Sequence, residues 1–229
     1  MLDLYGFGDT LALGAWVTIQ LSLAAVALGL VIGLIGAGAK LSRFSVLRML
    51  ADAFTTVIRG VPELLLILSF YFGGGVAINN IVAAFGYTSY VEVNGFSAGL
   101  TAIGINFGAY TAEIFRGAIL AVPKGQIEAA RSVGMTGILL FRRILLPQVW
   151  RFALPGLGNQ FLVLQKNTAL VSVIGVHELM RNTAFAVGYT KKPFTFYLFA
   201  AMIYLGLTVV TMIAVQMLEK RANRGVVRR

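Results

Sequence analysis

Few side chains of this chain could take part in chemistry, because only 12% of its 229 residues are charged. There is no cysteine and only one histidine, His177, so the composition excludes disulfides and thiolate metal sites and argues against a histidine metal site. Residues 36–42 (GAGAKLS) lack the G-x-x-x-x-G-K-S/T spacing of a phosphate loop. We therefore expect no catalytic residue, no metal and no ATP site.

Lys166 lies well inside an apolar stretch, and Asn167 and Thr168 follow it directly. A charge inside a membrane is costly, and such residues usually face a cavity or a paired acid. A kinked helix that places Lys166 near the membrane surface explains the position equally well. Lys166, Asn167 and Thr168 are therefore candidates for lining a polar cavity within the membrane.

His177 and Glu178 come just after the same apolar stretch. A carboxylate that is partly shielded from water attracts an ammonium or guanidinium group more strongly than one in bulk solvent. Glu178 is therefore a candidate for binding a cationic solute, with His177 beside it. The alternative is a local pair between Glu178 and Arg181, which have i, i+3 spacing.

Two further acid–base pairs have the spacing of neighbours on a helix. Arg59 and Glu63 stand at i, i+4, and Glu113 and Arg116 at i, i+3, so each pair can form a local ion pair. Pro62 lies inside the first pair, and because proline has no amide hydrogen it predicts a break or kink there. For Glu113 and Arg116 we expect a structural pair near the membrane surface.

The elements that must position these residues are membrane helices. The chain is 58% hydrophobic with a mean hydropathy of +0.83, and its charged fraction is about half the 25% that is typical of soluble domains. Its apolar runs are long enough for the roughly 20 residues that cross a bilayer. We predict an all-α integral membrane protein with five transmembrane helices, at about residues 10–39, 53–76, 95–120, 152–176 and 193–217.

The distribution of Lys and Arg predicts the orientation of these helices. The net charge is +10, and basic residues gather after the first span, between the third and fourth spans, and at the C-terminus. This positive-inside pattern predicts an N-terminus outside and a C-terminus inside, and it explains the charge without nucleic acid. Three basic residues in the predicted outer segment 177–192 run against the rule. The first span lacks the basic region of a signal peptide, so we predict that it is retained.

Small residues mark both packing and loops. Gly29 and Gly33 form a GxxxG step that permits close helix packing, although a lipid-facing helix explains it nearly as well. Residues 73–75 and 79–80, all glycine or asparagine, predict an outer loop after the second span. We see no repeat or linker, so we predict a single transmembrane domain over residues 1–229, with its core at about residues 10–218.

The longest polar interruption, residues 122–155, predicts two short helices. We expect Gly125 to cap the first helix, with Glu128 close to the free N–H groups at the start of that helix. Gly134 is placed where a left-handed residue ends a helix. Pro147 is expected to limit the second helix.

Thr136 is expected to cap that second helix. Ala129 and Ala130 leave the first helix nearly bare, so another protein could approach its backbone closely. A capped helix pair at a membrane face is a suitable shape for docking into a groove of a partner.

The order of residues in this segment resembles the EAA loop of ABC importer permeases. The match comprises, in order, Glu128, Ala129, Ala130, Gly134, Leu146 and Pro147. In that family the loop forms the coupling helices that dock on the ATP-binding subunit. The resemblance therefore implies a coupling role for about residues 121–150, including Gly125.

Further stretches resemble the polar amino-acid uptake branch of these permeases, most of all the HisQ-type subunits of histidine and lysine/arginine/ornithine importers, and then opine permeases. These stretches are Arg59-Gly60-Val61-Pro62, Gly108-Ala109-Tyr110 with Glu113, Arg116 and Gly117, Val122-Pro123-Lys124-Gly125, Leu154-Pro155-Gly156 with Asn159, and Lys166 with Thr168-Ala169-Leu170-Val171-Ser172. The resemblance implies the type I ABC importer transmembrane fold. It also implies a permease subunit for amino acids of the cationic type, such as histidine, arginine, lysine, ornithine or an opine.

The resemblance implies partners as well. They are a second homologous permease subunit forming a heterodimer, two ATP-binding subunits that bind the ATP, a periplasmic solute-binding protein, and the lipid of a bacterial inner membrane. The His177-Glu178 pair departs from the two acidic residues of some relatives, which leaves the cationic substrate open.

Two other classes of protein fit the chain less well. An ion-coupled secondary amino-acid carrier commonly has inverted repeats with paired broken helices, and five unrepeated spans do not match that pattern. A membrane scaffold would need neither a lysine inside a span nor a docking loop.

Overall fold

The computed structural model describes residues 4–86 and 91–223, and these residues form an all-helical subunit, as predicted. The helices are α1 (Gly8–Lys40), α2 (Ser45–Gly60), α3 (Glu63–Leu68), α4 (Gly74–Ala84), α5 (Gly95–Leu120), α6 (Lys124–Ser132), α7 (Gly137–Leu140), α8 (Leu146–Asn167), α9 (Leu179–Thr190) and α10 (Pro193–Ala222). Two π-helical turns, Ser69–Gly73 and Phe141–Leu145, join α3 to α4 and α7 to α8. A 3-10 segment, Thr168–Ile174, extends α8.

Helices α1 and α5 form the central packing interface of the subunit. Gly29 and Gly33 are buried on α1, and they face α5. A Cβ atom at Gly29 would lie 2.8 Å from the carbonyl oxygen of Gly104, and one at Gly108 would lie 2.7 Å from the Ile32 side chain. The predicted close packing at the GxxxG step is therefore confirmed, with a second pair of glycines on the opposing helix.

Apolar clusters fix the other helices around this pair. One cluster joins α1 and α5 to the end of α8 and its 3-10 extension through Leu21, Ala25, Ile103, Phe107, Leu164 and Val171. A second joins the other ends of α1 and α5 to the start of α8 through Ala37, Phe115, Ala118, Val149 and Ala153. A third attaches α9 and α10 to the start of α1 through Leu11, Leu179, Ala186, Phe196 and Ala200.

Three helices within the described residues are long and apolar enough to cross a membrane. They are Gly8–Lys40, Glu63–Ala84 and Pro193–Ala222. Helices α5 and α8, which correspond to the third and fourth predicted spans, do not meet this criterion of length and composition. Both carry polar residues along the faces that pack inside the subunit, including Asn106 on α5 and Gln165 on α8.

The second predicted span is displaced along the chain. We predicted a span at about residues 53–76, whereas α2 ends at Gly60 and the apolar helix runs from Glu63 to Ala84. The predicted outer loop at residues 73–75 and 79–80 is wrong, because these residues belong to the π turn and α4. The side chain of Asn79 donates to the carbonyl oxygens of Gly75 at 2.8 Å and Val91 at 2.9 Å, so this polar residue is satisfied within the helical structure.

Candidate functional site

The break between α2 and α3 opens a polar cavity of about 460 Å³. Val61 and Pro62 have extended backbone conformations between the two helices, so the predicted break at Pro62 is confirmed. Proline has no N–H to continue the helical ladder, and the residue before it is driven towards extended conformations. The cavity is lined by Arg59, Gly60, Val61, Pro62, Glu63, Asn106, Tyr110, Gln160, Val163 and Asn167.

Glu63 gives this cavity an anionic wall. Its carboxylate accepts a hydrogen bond from the side-chain amide of Asn167, and Asn106 lies buried in the same wall. Among the described residues, no Lys or Arg nitrogen lies within 4.0 Å of the Glu63 carboxylate. A carboxylate with amide partners and no cationic partner can bind an ammonium or guanidinium group of a solute.

A charge cluster lies beside the cavity, where α1, α2 and α5 meet. Its members are Lys40, Asp52, Arg59, Glu113 and Arg116. The ammonium group of Lys40 is buried and lies 2.7 Å from Asp52 Oδ1 and 2.5 Å from Glu113 Oε1. Arg116 Nε donates to Glu113 Oε2 at 2.9 Å, which confirms the predicted i, i+3 pair.

The predicted ion pair between Arg59 and Glu63 is wrong. The chain leaves the helix at Val61 and Pro62, so the two residues do not share the face of one continuous helix. Arg59 Nη1 lies 3.8 Å from Glu113 Oε1 instead, and the guanidinium carbon lies 5.0 Å from the centre of the Tyr110 ring.

The candidate residues on α8 separate in the structure. Lys166 is exposed, Asn167 lines the cavity and Thr168 is buried, where its hydroxyl donates to the Gln165 carbonyl at 2.8 Å. Asn167 is therefore the member of this trio that reaches the cavity. A role in solute binding for Lys166 and Thr168 stays a prediction.

Glu178 serves as the N-cap of α9. Its carboxylate accepts from the backbone N–H groups of Met180 at 2.8 Å and Arg181 at 2.7 Å, and from the Tyr204 hydroxyl at 3.1 Å. The contact with Arg181 is therefore through its backbone N–H. Burial raises the pKa of Glu178 above its ordinary value, and these donors partly offset that increase.

This geometry gives Glu178 a structural role and leaves its predicted role with solute untested. The residue is 0% exposed, and both carboxylate oxygens are used by donors of the protein. His177, its neighbour, is exposed, with Nδ1 3.3 Å from Asn182 Oδ1. Neither residue lines the cavity that contains Glu63.

The two short helices predicted in the polar segment are α6 and α7, joined by a tight turn at Gly134. Gly134 has φ +79°, in the left-handed region, as predicted. Its N–H donates to the Arg131 carbonyl at 3.0 Å, and the N–H of Met135 donates to the Ala130 carbonyl at 3.1 Å. These two bonds are the Schellman pattern, which satisfies carbonyls at the end of α6.

The predicted start of α6 is shifted by two positions. Pro123 occupies the N-cap and α6 begins at Lys124, so Gly125 is a helical residue and Glu128 lies beyond the first turn. Proline is tolerated at this position because its φ of −60° suits its ring and no hydrogen bond of the helix requires its N–H. Glu128 and Ala129 are exposed, whereas Ala130 is buried against its own subunit, so only one of the two alanines is open to a partner.

Thr136 occupies the predicted N-cap of α7, although its side chain makes no capping hydrogen bond. The predicted stop at Pro147 is wrong, because the helix runs on through the π turn Phe141–Leu145 into α8. Pro147 lies at the start of α8, directly after that turn. A π turn has a wider hydrogen-bond spacing, which lets the helix pass a residue that has no N–H. Leu146 and Pro147 are both exposed.

Large apolar side chains are exposed around the α6–α7 pair. Val133 is 75% exposed, Ile138 83% and Phe141 52%. The pair is attached to the membrane part through a hydrogen bond between Gln148 and Gln126 at 2.5 Å. Exposed apolar residues on an attached surface helix pair are typical of a protein docking site.

Comparison with known proteins identifies a family that matches this chain. The family described as the binding-protein-dependent transport system inner membrane component matches residues 29–224. The chain belongs to this family. As an inner membrane component of the family it is a transport subunit, which confirms the predicted resemblance and the prediction that it is not itself an enzyme.

Several relatives of this inner membrane component are similar over nearly their whole length. The nopaline transport system permease protein NocQ of Agrobacterium fabrum is 49% identical, over 96% of this chain and 94% of its own. The octopine transport system permease protein OccQ of Rhizobium radiobacter is 44% identical, over 97% of this chain and 94% of the OccQ chain. The histidine/lysine/arginine/ornithine transport system permease protein HisQ of Escherichia coli is 42% identical, over 98% of each chain.

Solved structures share the fold of the inner membrane component. The crystal structure of an amino acid ABC transporter with histidines matches 93% of this chain and 94% of its own, with a TM-score of 0.79 and 36% identity. The structure of an inward-facing MetNI methionine ABC transporter matches 95% of this chain and 98% of its own chain, with a TM-score of 0.77. Its sequence identity is 20%, so this similarity shows the fold alone. The predicted type I importer fold is therefore confirmed at the level of the helical architecture.

Proposed function

We propose that the chain is the membrane permease subunit of an ATP-driven, binding-protein-dependent importer of amino acids. The observation that carries this proposal is the α6–α7 pair, which combines a Schellman turn at Gly134 with exposed apolar side chains. Such a surface suits docking on an ATPase subunit. ATP is bound by that partner, because no stretch of this sequence has the spacing of a phosphate loop.

The coupling residues of this proposal lie on or beside the α6–α7 pair. Exposed Glu128 and Ala129 face the partner, and Gly134 sets the angle between the two helices. Leu146 and Pro147 follow the π turn that connects α7 to α8. Movement of the docked pair is thereby transmitted along α8 to Asn167, which lines the cavity.

The cavity beside Glu63 is the proposed binding site for the solute within this subunit. The Glu63 carboxylate, together with the side chains of Asn167 and Asn106, can bind an ammonium or guanidinium group. The names of the relatives include histidine, lysine, arginine, ornithine, nopaline and octopine transport. A cationic amino acid or an opine is therefore the substrate class that we propose.

The proposed membrane arrangement has five spans, with the N-terminus outside and the C-terminus inside. To the three helices that qualify by length and composition we add α5 and the continuous helix from α8 through its 3-10 extension. Both pack against α1 inside the subunit, which accounts for their greater polarity. The basic residues of α6 and the π turn support a cytoplasmic position for the α6–α7 pair.

The proposed assembly has four further components and lies in the bacterial inner membrane. They are a second homologous permease subunit, which forms a heterodimer with this chain, two ATP-binding subunits and a periplasmic solute-binding protein. Exposed apolar side chains on α1 and α10 would contact lipid or the second permease subunit.

Reconstitution in proteoliposomes tests this function. We expect uptake of L-arginine, L-lysine or L-histidine only when the second permease subunit, the ATPase subunits, ATP and the binding protein are all present. Replacement of ATP by a non-hydrolysable analogue should abolish uptake, since hydrolysis resets the importer. Uptake driven by an ion gradient through this chain alone would identify a secondary carrier and overturn the proposal.

A further inference from the structure

Arg59 is the most weakly held cation of the charge cluster. Its Nη1 atom lies 3.8 Å from Glu113 Oε1, whereas Lys40 lies 2.5 Å from the same oxygen. Its side chain is 41% exposed, and it lines the cavity. Arg59 therefore has a loose contact with its acid and free access to the space beside Glu63.

Arg59 also gives the cavity a cationic group to complement the anionic Glu63. The two residues stand on either side of the break at Val61 and Pro62, and both line the same space. An amino acid carries an ammonium and a carboxylate group on one carbon. A cavity with one group of each sign can bind both ends of such a zwitterion.

We propose that Arg59 binds the carboxylate of the transported solute and leaves Glu113 when it does so. This inference rests on the proposed function of the cavity. A guanidinium group can bind a carboxylate with two parallel hydrogen bonds, a geometry that its present 3.8 Å approach to Glu113 does not provide. The exchange replaces a loose ion pair by a bidentate one.

The remaining cluster can lose Arg59 without leaving Glu113 unpaired. Lys40 and Arg116 continue to neutralise the Glu113 carboxylate, at 2.5 and 2.9 Å. The Tyr110 ring, 5.0 Å from the guanidinium carbon, supports Arg59 on the wall of the cavity. The loss of the contact between Arg59 and Glu113 therefore costs little free energy.

The exchange would connect solute binding to the packing of three helices. Arg59 lies near the end of α2, and the acid that it leaves belongs to α5 and is bound by Lys40 of α1. A solute that draws Arg59 into the cavity loosens one link between α2 and α5. Such a solute shifts the equilibrium between the state with the Arg59–Glu113 contact and the state without it, to the extent that its affinity for the two states differs.

A pair of ligands that differ in the carboxylate tests the role of Arg59. Binding of L-arginine and of agmatine, which is arginine without its carboxylate, is measured on the assembled importer in lipid nanodiscs without the binding protein. For the unaltered complex we expect L-arginine to bind more tightly than agmatine. Arg59→Gln should weaken L-arginine binding at least tenfold and change agmatine binding less than threefold.

Two further variants separate solute binding from a structural effect. Arg59→Lys retains the charge but not the bidentate geometry, so its L-arginine affinity should lie between those of the unaltered protein and Arg59→Gln. Arg48→Gln removes an exposed arginine from the same helix, outside the cavity, and should leave both affinities unchanged.

The outcomes distinguish this inference from the proposed function. Equal losses for L-arginine and agmatine would show that Arg59 supports the structure only, and would overturn the inference while the proposed function stands. Equal affinity of the unaltered complex for the two ligands, or no loss in Arg59→Gln, would also overturn it. Failure of the unaltered complex to bind any amino acid would overturn the cavity as a solute site and this inference with it.

Discussion

Gly134→Val should reduce solute uptake by the assembled importer at least tenfold while the subunit still inserts in the membrane. Gly134 has φ +79°, and apart from its chain neighbours no atom of the described residues lies within 4 Å of the place where a Cβ would stand, so the strain is in the backbone rather than in a clash. A β-branched residue in the left-handed region costs on the order of 1–3 kcal/mol. The turn that orients α6 against α7 would be lost, and ATP hydrolysis would no longer be coupled to transport.

Gly134→Asn provides the matched control for this variant. Asparagine is similar in size to valine but adopts the left-handed conformation far more readily. We expect Gly134→Asn to retain most uptake and solute-stimulated ATP hydrolysis, both measured in proteoliposomes. Equal activity of the valine and asparagine variants would show that the positive φ of Gly134 has no part in coupling.

Gly29→Leu should prevent stable assembly of the subunit. A Cβ at Gly29 would lie 2.5 Å from the Phe107 ring, 2.8 Å from the Gly104 carbonyl oxygen and 3.0 Å from the Gly108 nitrogen. Two of these atoms belong to the backbone of α5 and cannot move aside alone. Overpacking typically costs about 1–3 kcal/mol, and separation of two central helices costs more. We expect a fall in melting temperature on the order of 5 °C or more, or loss of the folded protein.

Gly38→Leu is the control on the same helix. Gly38 is exposed, and beyond the backbone of its own helix a Cβ there would have no atom of the described part of the chain within 4 Å. Both variants add the same side chain to α1, so they differ in packing against α5 and little in helix propensity. Size-exclusion profiles and melting curves of the detergent-purified complexes give the comparison. If Gly29→Leu were as stable as Gly38→Leu, the close approach of α1 and α5 would be contradicted.

The parts of the fold that could be predicted are those with a local cause. The long charge-free run at the start of the chain predicts α1, and the two helices that start at Gly95 and Pro193 begin where they were expected. The break at Pro62 and the left-handed turn at Gly134 follow from the backbone limits of proline and glycine.

The parts that could not be predicted depend on tertiary structure. Pro147 does not stop its helix because a π turn precedes it, and the glycine-rich residues 73–75 are helical because an apolar helix continues through them. The carboxylate of Glu178, which caps α9, also accepts a hydrogen bond from Tyr204, far along the chain. No local pattern predicts such a contact.

The candidate site was predicted in part for the same reason. Spacing alone paired Arg59 with Glu63. Because the helix breaks between them, Arg59 lies near Glu113 instead, and Glu63 accepts a hydrogen bond from Asn167. Asn167 was predicted from its position beside Lys166. Asn106 was missed, although an asparagine in the middle of an apolar run was a signal that could have been used.

The labelling of single cysteines tests most directly whether the α6–α7 pair is the cytoplasmic docking surface. The chain has no cysteine of its own, and both Thr136 and Asn80 are exposed. A cysteine at Thr136 should react only from the cytoplasmic side, and only when the ATPase subunits are absent, because their docking covers it. A cysteine at Asn80, which lines a cavity with Glu92 near the proposed outer end of α4, should react only from outside, with or without the ATPase. Labelling of Thr136 from outside, or equal labelling with the ATPase bound, would contradict the account.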